Sequence, residues 1–154
     1  MPTLLLVIVA ILAGIALPAY TKYISETSIS VVNSNYKNAV KAVKAEQFRL
    51  MRLRERLGDR FKYRSPDYFF GRADNWIPHI IDPNGRKAPG GGPAFIVDKG
   101  GTQTGAIGVE VGTGGMGTAY VNLYRPAYAP SGQNDGFTWE MSRITPSGDI
   151  IVRH

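Results

Sequence analysis

The sequence predicts an α+β fold: a long N-terminal helical spine with a four- to five-stranded antiparallel sheet packed on its C-terminal half. Three observations predict it. Residues 1–21 carry no charged side chain. Apolar residues then recur at three- and four-residue steps as far as Leu57, the period of a helix with one buried stripe. From Ala94 onward come five short runs rich in β-branched and aromatic residues, bounded by Gly and Pro, which is the pattern of strands and turns. The chain therefore divides into a hydrophobic stem (1–21), the amphipathic half of the same helix (22–57) and a globular head (58–154), the head comprising an irregular loop (59–93) and a sheet (94–154).

The stem decides where the protein can live. Residues 4–17 are interrupted by nothing more polar than Gly14, and a helix of about twenty residues reaches about 30 Å, the thickness of a bilayer's hydrocarbon layer. Apolar surface left in water costs about 25 cal/mol per Å², so the stem must end in lipid, in a core, or against copies of itself. No Lys or Arg precedes the run, as a cleaved secretory signal would require; the segment is expected to be retained. Within it, Gly14 and Pro18 cost a helix about 1 and 3 kcal/mol relative to Ala, and Pro18 both lacks a donor and crowds the carbonyl of Gly14. That coincidence predicts stretched or non-helical backbone within residues 10–18.

Beyond Tyr20, Ile29, Val32, Tyr36, Ala39 and Val43 form one apolar stripe, which Leu50, Leu53 and Leu57 resume after an interruption at Glu46 and Gln47. Gly58 follows a basic last turn and is a C-cap signal. Residues 59–93 mix aromatics with prolines, among them Pro66, Pro78, Pro83 and Pro89, and read as loop, with a short helical turn at 66–71 and a turn at 82–85. Strands are expected at 94–98, 106–111, 118–124, 137–143 and 149–153, with Gly-rich joints at 99–105 and 112–117 favouring hairpins. Without the first 21 residues, 133 of the 154 remain, enough for one small core. There is no cysteine, so strand pairing rather than a disulfide must hold the C-terminus.

The net charge of +6 is concentrated. Between Lys37 and Arg64 ten basic residues face three acids, a local +7, leaving −1 for the remainder. Lys37, Lys41, Lys44, Arg49, Arg52 and Arg56, interleaved with Tyr36, Phe48, Phe61 and Tyr63, are candidate contacts to nucleic-acid phosphates or to neighbouring subunits. The competing and favoured reading is a solvated helix face.

Other constellations are weaker. Residues 112–117 spell G-x-G-x-x-G, but strand rather than a phosphate-binding helix is expected to follow, so a hairpin turn is the better reading. His79 and His154 are the only histidines, too few for a zinc site without distant carboxylates, and Asp82 reads as a turn former. Asp135 has oxygen-rich neighbours without the Glu and spacing of a calcium loop. No nucleophile-and-base arrangement appears and G-x-S-x-G is absent. The expectation is a protein without cofactor or metal that is not an enzyme.

The run Ile11-Leu12-Ala13-Gly14-Ile15-Ala16-Leu17-Pro18-Ala19-Tyr20, followed by Lys22-Tyr23 and an amphipathic stretch, resembles the N-terminal helix of type IV pilins. The resemblance covers about the first 25 residues; the remainder is compatible by architecture. It implies a structural subunit whose stem packs in a filament through Leu4, Leu5, Leu6, Ile8, Ile11, Leu12, Ile15 and Leu17, loosens at Gly14 and Pro18, and makes exit contacts through Tyr20 and Tyr23. The implied partners are other copies of the chain, the inner membrane before assembly and the pilus assembly machinery; the implied location is an extracellular filament serving adhesion or motility. One feature departs from the family, which usually carries a Glu near the processed N-terminus. No acid precedes Glu26, and aligning residues 16–20 puts the Glu position at Met1 with four residues missing before it. Either a short piece with the leader peptide precedes Met1, or this member dispenses with the Glu. A pseudopilin of a type II secretion system shares the stem, and a membrane-tethered binding module is the alternative of a different class.

Overall fold

The computed structural model describes residues 2–58, 72–114, 118–130, 139–146 and 150–153. Helix α1, Pro2–Leu57, contains 56 residues and is about 84 Å long at about 1.5 Å per residue. It ends where expected: Arg54 and Arg56 occupy its last turn and Gly58 takes a φ of +52°, the left-handed conformation that glycine adopts without a Cβ clash.

In the single chain α1 continues through Pro18, without the stretched backbone within residues 10–18 that is expected of the packed filament. Pro18 removes one donor, but nothing in a single chain pulls the turn apart. Its own carbonyl accepts a hydrogen bond from the Thr21 hydroxyl at 2.9 Å, and Thr27 bonds back to the Tyr23 carbonyl at 2.8 Å, so both hydroxyls are satisfied within the helix, a back-bonding that costs it little.

Val32, Tyr36, Ala39, Val43 and Leu50 bury one stripe of α1. The interruption at Glu46 and Gln47 is only half real. Gln47 is 1% exposed and sits in the stripe, while Glu46 is half-buried at its flank. After the undescribed segment come α2, Ala73–Trp76, and a π-helical turn, Ile77–Ile81. This corrects the reading of residues 73–81 as irregular loop. Trp76 is fully buried and Ala73 and Ile81 join the same core, so burial against α1 outweighs Pro78, which stands in the turn's first positions where a missing N–H is tolerated. The helical turn expected at 66–71 lies outside the described residues.

The sheet has five strands in the order β1-β2-β3-β4-β5: Phe95–Val97, Ile107–Gly114, Thr118–Arg125, Glu140–Ile144 and Ile150–Arg153. β2 through β5 form an antiparallel meander. β1, however, pairs parallel to β2, which overturns the hairpin expected across 99–105 and makes the sheet mixed. Parallel neighbours ordinarily need a long crossover. Here the chain reverses at Asp98 and Gly100, with φ of 113° and 93°, and crosses directly over Gly108. A Cβ on Gly108 would lie 2.2 Å from the Asp98 carbonyl oxygen and 2.4 Å from the Gly100 nitrogen. Absence of that one atom permits the short crossover.

Alternation along the strands turns Ile107, Val109, Val121, Leu123 and Ile144 toward α1, where they meet Val32, Tyr36, Ala39, Val43 and Trp76 in a single core. The opposite face is turned away from the helix.

Candidate functional site

The stem lies wholly outside that core. Leu4, Leu5, Leu6, Ile8, Ile11, Leu12, Ile15 and Leu17 are between 49% and 72% exposed, and a Cβ at Gly14 would meet no atom within 4 Å. This portion of α1 is long and apolar enough to cross a membrane. Tyr20 and Tyr23 are exposed at its exit. Ile24 and Val31 are exposed too and follow Tyr20 at helical spacing, extending the uncovered apolar surface toward the head. Sequence reasoning did not select them, although the spacing from Tyr20 was the available signal.

The basic residues occupy the side of α1 away from the core. Lys37, Lys41, Arg49, Arg52 and Arg56 are exposed and Lys44 is half-buried. Arg49 is engaged within the helix: its Nε and Nη2 donate to Glu46 at 2.8 and 2.6 Å, and that hydrogen bonding raises its already high pKa further. The other five make no ion pair among the described residues. Exposed Phe48 lies among them, and with Ala45, Arg49, Arg52, Leu53 and Arg56 it lines a shallow groove. Tyr36 does not belong to this surface. It is buried on the core side with its hydroxyl 2.6 Å from Ser142 Oγ, and burial raises its pKa. Phe61 and Tyr63 lie outside the described residues.

The outer face of the sheet carries a polar network that the sequence analysis missed. Glu110, Asn122 and Arg143 stand side by side on β2, β3 and β4. Asn122 Nδ2 donates to Glu110 Oε2 at 3.0 Å, and Arg143 Nε donates to Asn122 Oδ1 at 2.9 Å. The Tyr124 hydroxyl donates to the same Glu110 oxygen. These two donors, Tyr124 first, hold the Glu110 carboxyl below its usual range. Burial, and then the Glu110 bond, push the Tyr124 phenol up to about 12. Arg143 lies over the Tyr120 ring, 4.6 Å from its centroid, and Trp139 packs on Tyr124 with centroids 5.4 Å apart. Alternation in β2 and β3 was the only hint in the sequence; the partners are 12 to 21 residues apart, and their meeting depends on register.

No family model, no curated protein and no solved structure matches this chain.

The remaining candidates resolve simply. β2 extends through Gly114, which pairs with Thr118 at the start of β3, so Gly112, Thr113 and Gly114 are strand rather than the joint expected there, and among the described residues no helix N-terminus follows them for a phosphate. Asp82 is the turn former expected: its Oδ2 accepts from the Arg86 backbone N–H at 2.7 Å and its Oδ1 lies 3.6 Å from Arg86 Nε. His79 is exposed on the π-helical turn, and no group of three or more His, Cys, Asp or Glu lies together among the described residues. His154 and Asp135 lie outside them. Between sheet and helix, Arg125 and Glu140 approach to 4.0 Å, with burial lowering the Arg125 pKa.

Proposed function

We propose that this chain is a type IV pilin-like structural subunit that polymerises through helical packing of its stem. The observation that carries this reading is an apolar stem left bare by its own head yet continuous, without a break, with the helix on which the head is built. Such a stem is held in the membrane before assembly and exchanges lipid for the stems of other copies. Lipid tails are as apolar as Leu, so close packing rather than water release supplies the gain. A rigid helix joining stem to head transmits the head's orientation to each contact, and contacts that do not close on themselves build a filament. Leu4, Leu5, Leu6, Ile8, Ile11, Leu12, Ile15 and Leu17 form the packing surface, and Tyr20 and Tyr23 continue it at the exit. The head faces outward, where surface contacts serve adhesion or motility. Assembly machinery and an inner-membrane pool belong to the same proposal.

The test is electron microscopy, with peptide identification, of material sheared from cells that express the chain. Fibres composed mainly of this chain support the proposal. Retention in the membrane fraction without fibres rejects it in favour of a tethered module or a pseudopilin.

A further inference from the structure

We propose that the outer face of the sheet binds a pyranose-type saccharide, with Trp139 stacking on the sugar ring and Glu110 and Arg143 binding its hydroxyls. The inference is independent of filament assembly and concerns a surface that the stem does not reach.

The face is built as a floor with a rim. Asn122 and Tyr124 form the floor, 2% and 5% exposed. Gly112 seats the Tyr120 ring beside them: a Cβ there would lie 2.3 Å from the ring's Cζ, so only glycine lets Tyr120 lie flat over β2. The rim is Glu110, Arg143, Tyr120 and Trp139, of which Glu110 and Trp139 are exposed. Asn122 holds both charged groups at once, donating to Glu110 and accepting from Arg143, while Tyr124 fixes the same carboxylate oxygen.

What the network leaves over defines the ligand. Its hydrogen bonds to Glu110 converge on Oε2, and Arg143 enters it through Nε. Among the described residues, Oε1 of Glu110 therefore remains as an acceptor, and the terminal nitrogens of Arg143 as a planar pair of donors. Both are held in place before any ligand arrives, so little side-chain freedom is lost on binding. Beside them stands an exposed indole already braced by Tyr124. An apolar ring face flanked by groups that both donate and accept is the chemistry of a pyranose, whose C–H face stacks on an aromatic plane while its hydroxyls take either role. A nucleic acid would favour uninterrupted positive charge, whereas here a carboxylate, Glu110, faces the two cations Lys99 and Arg143. A hydrophobic peptide would favour a wider apolar patch.

The experiment uses the full chain in micelles of a detergent without sugar headgroups. Trp76 is fully buried and Trp139 is 39% exposed, so acrylamide quenching of tryptophan fluorescence reports mainly on Trp139. The probes are the methyl glycosides of glucose, galactose, mannose and N-acetylglucosamine. At least one should protect Trp139 saturably, and Glu110→Gln and Arg143→Gln should each weaken that protection by about tenfold or more, as expected for loss of a hydrogen bond to a charged group. An unchanged circular dichroism spectrum in each variant shows that the fold survives. The proposal is overturned if none of the four glycosides protects Trp139, or if protection persists undiminished in both variants.

Discussion

Tyr124 illustrates how one residue ties the sheet to pH. Its phenol titrates near 10 when unfolded and at about 12 in the fold, so between these values the folded chain holds a proton that the unfolded chain has lost. The resulting stability is fully present below pH 10 and declines as pH rises toward 12. Alkaline unfolding followed by circular dichroism should therefore steepen across that window, and Tyr124→Phe should flatten it; an identical profile for the variant would refute the assignment. Glu110 acts in the opposite direction. Its depressed pKa contributes stability above the unfolded carboxylate range that is lost as pH falls through the folded value. On the core side, Tyr36→Phe removes the bond to Ser142 and should cost about 1 kcal/mol in denaturant unfolding. No loss would mean that water replaces the phenol at no cost. Neither pairing was readable from sequence, because Tyr36 meets Ser142 across 106 residues and Glu110 meets Tyr124 only through the register of β2 and β3.

Among the elements, those with local causes were legible and those with remote causes were not. The amphipathic half of α1, its end at Gly58, and the β2–β3 joint follow from spacing and glycine placement within a few residues. The π-helical turn was hidden by Pro78, since its formation depends on Trp76 and Ile81 reaching the core. The parallel β1 was hidden because a Gly-rich joint reads as a hairpin unless one knows that Asp98 to Gly100 lie across Gly108. Gly108→Ala tests that account. Its new methyl would meet backbone atoms at 2.2 to 2.5 Å, which side-chain repacking cannot relieve, so the loss should reach about 3 kcal/mol, the upper end for an overpacked site. Thermal unfolding of this variant should begin well below wild type; an unshifted transition would mean that β1 is dispensable. Gly14→Ala makes the contrast. Its Cβ enters open space, so helix content of the single chain in micelles should hold or rise, with a gain of about 1 kcal/mol for that turn.

At the scale of the whole molecule, the open question is whether the stem anchors the chain or assembles it. A charge does not separate these alternatives cleanly. Leu12→Asp places a carboxylate at the middle of the span, where insertion alone costs about 3 kcal/mol, so a tethered chain would suffer as well as a packed one. Replacing residues 4–17 by leucine throughout is the sharper change. Length, apolarity and insertion are preserved, while the β-branched shapes of Ile8, Ile11 and Ile15 and the small face at Gly14 are lost. Anchoring asks only for an apolar span. Packing of copy against copy depends on complementary side-chain shape, because between helices in lipid no water remains to be released. The leucine stem should therefore leave the chain in the membrane at wild-type amounts but remove sheared fibres, whereas Leu12→Ala, a smaller loss of shape, should reduce them in part. Fibres at undiminished yield from the leucine stem would show that stem shape plays no part in assembly, and the basic face of α1 around Phe48 would then be the next surface to alter.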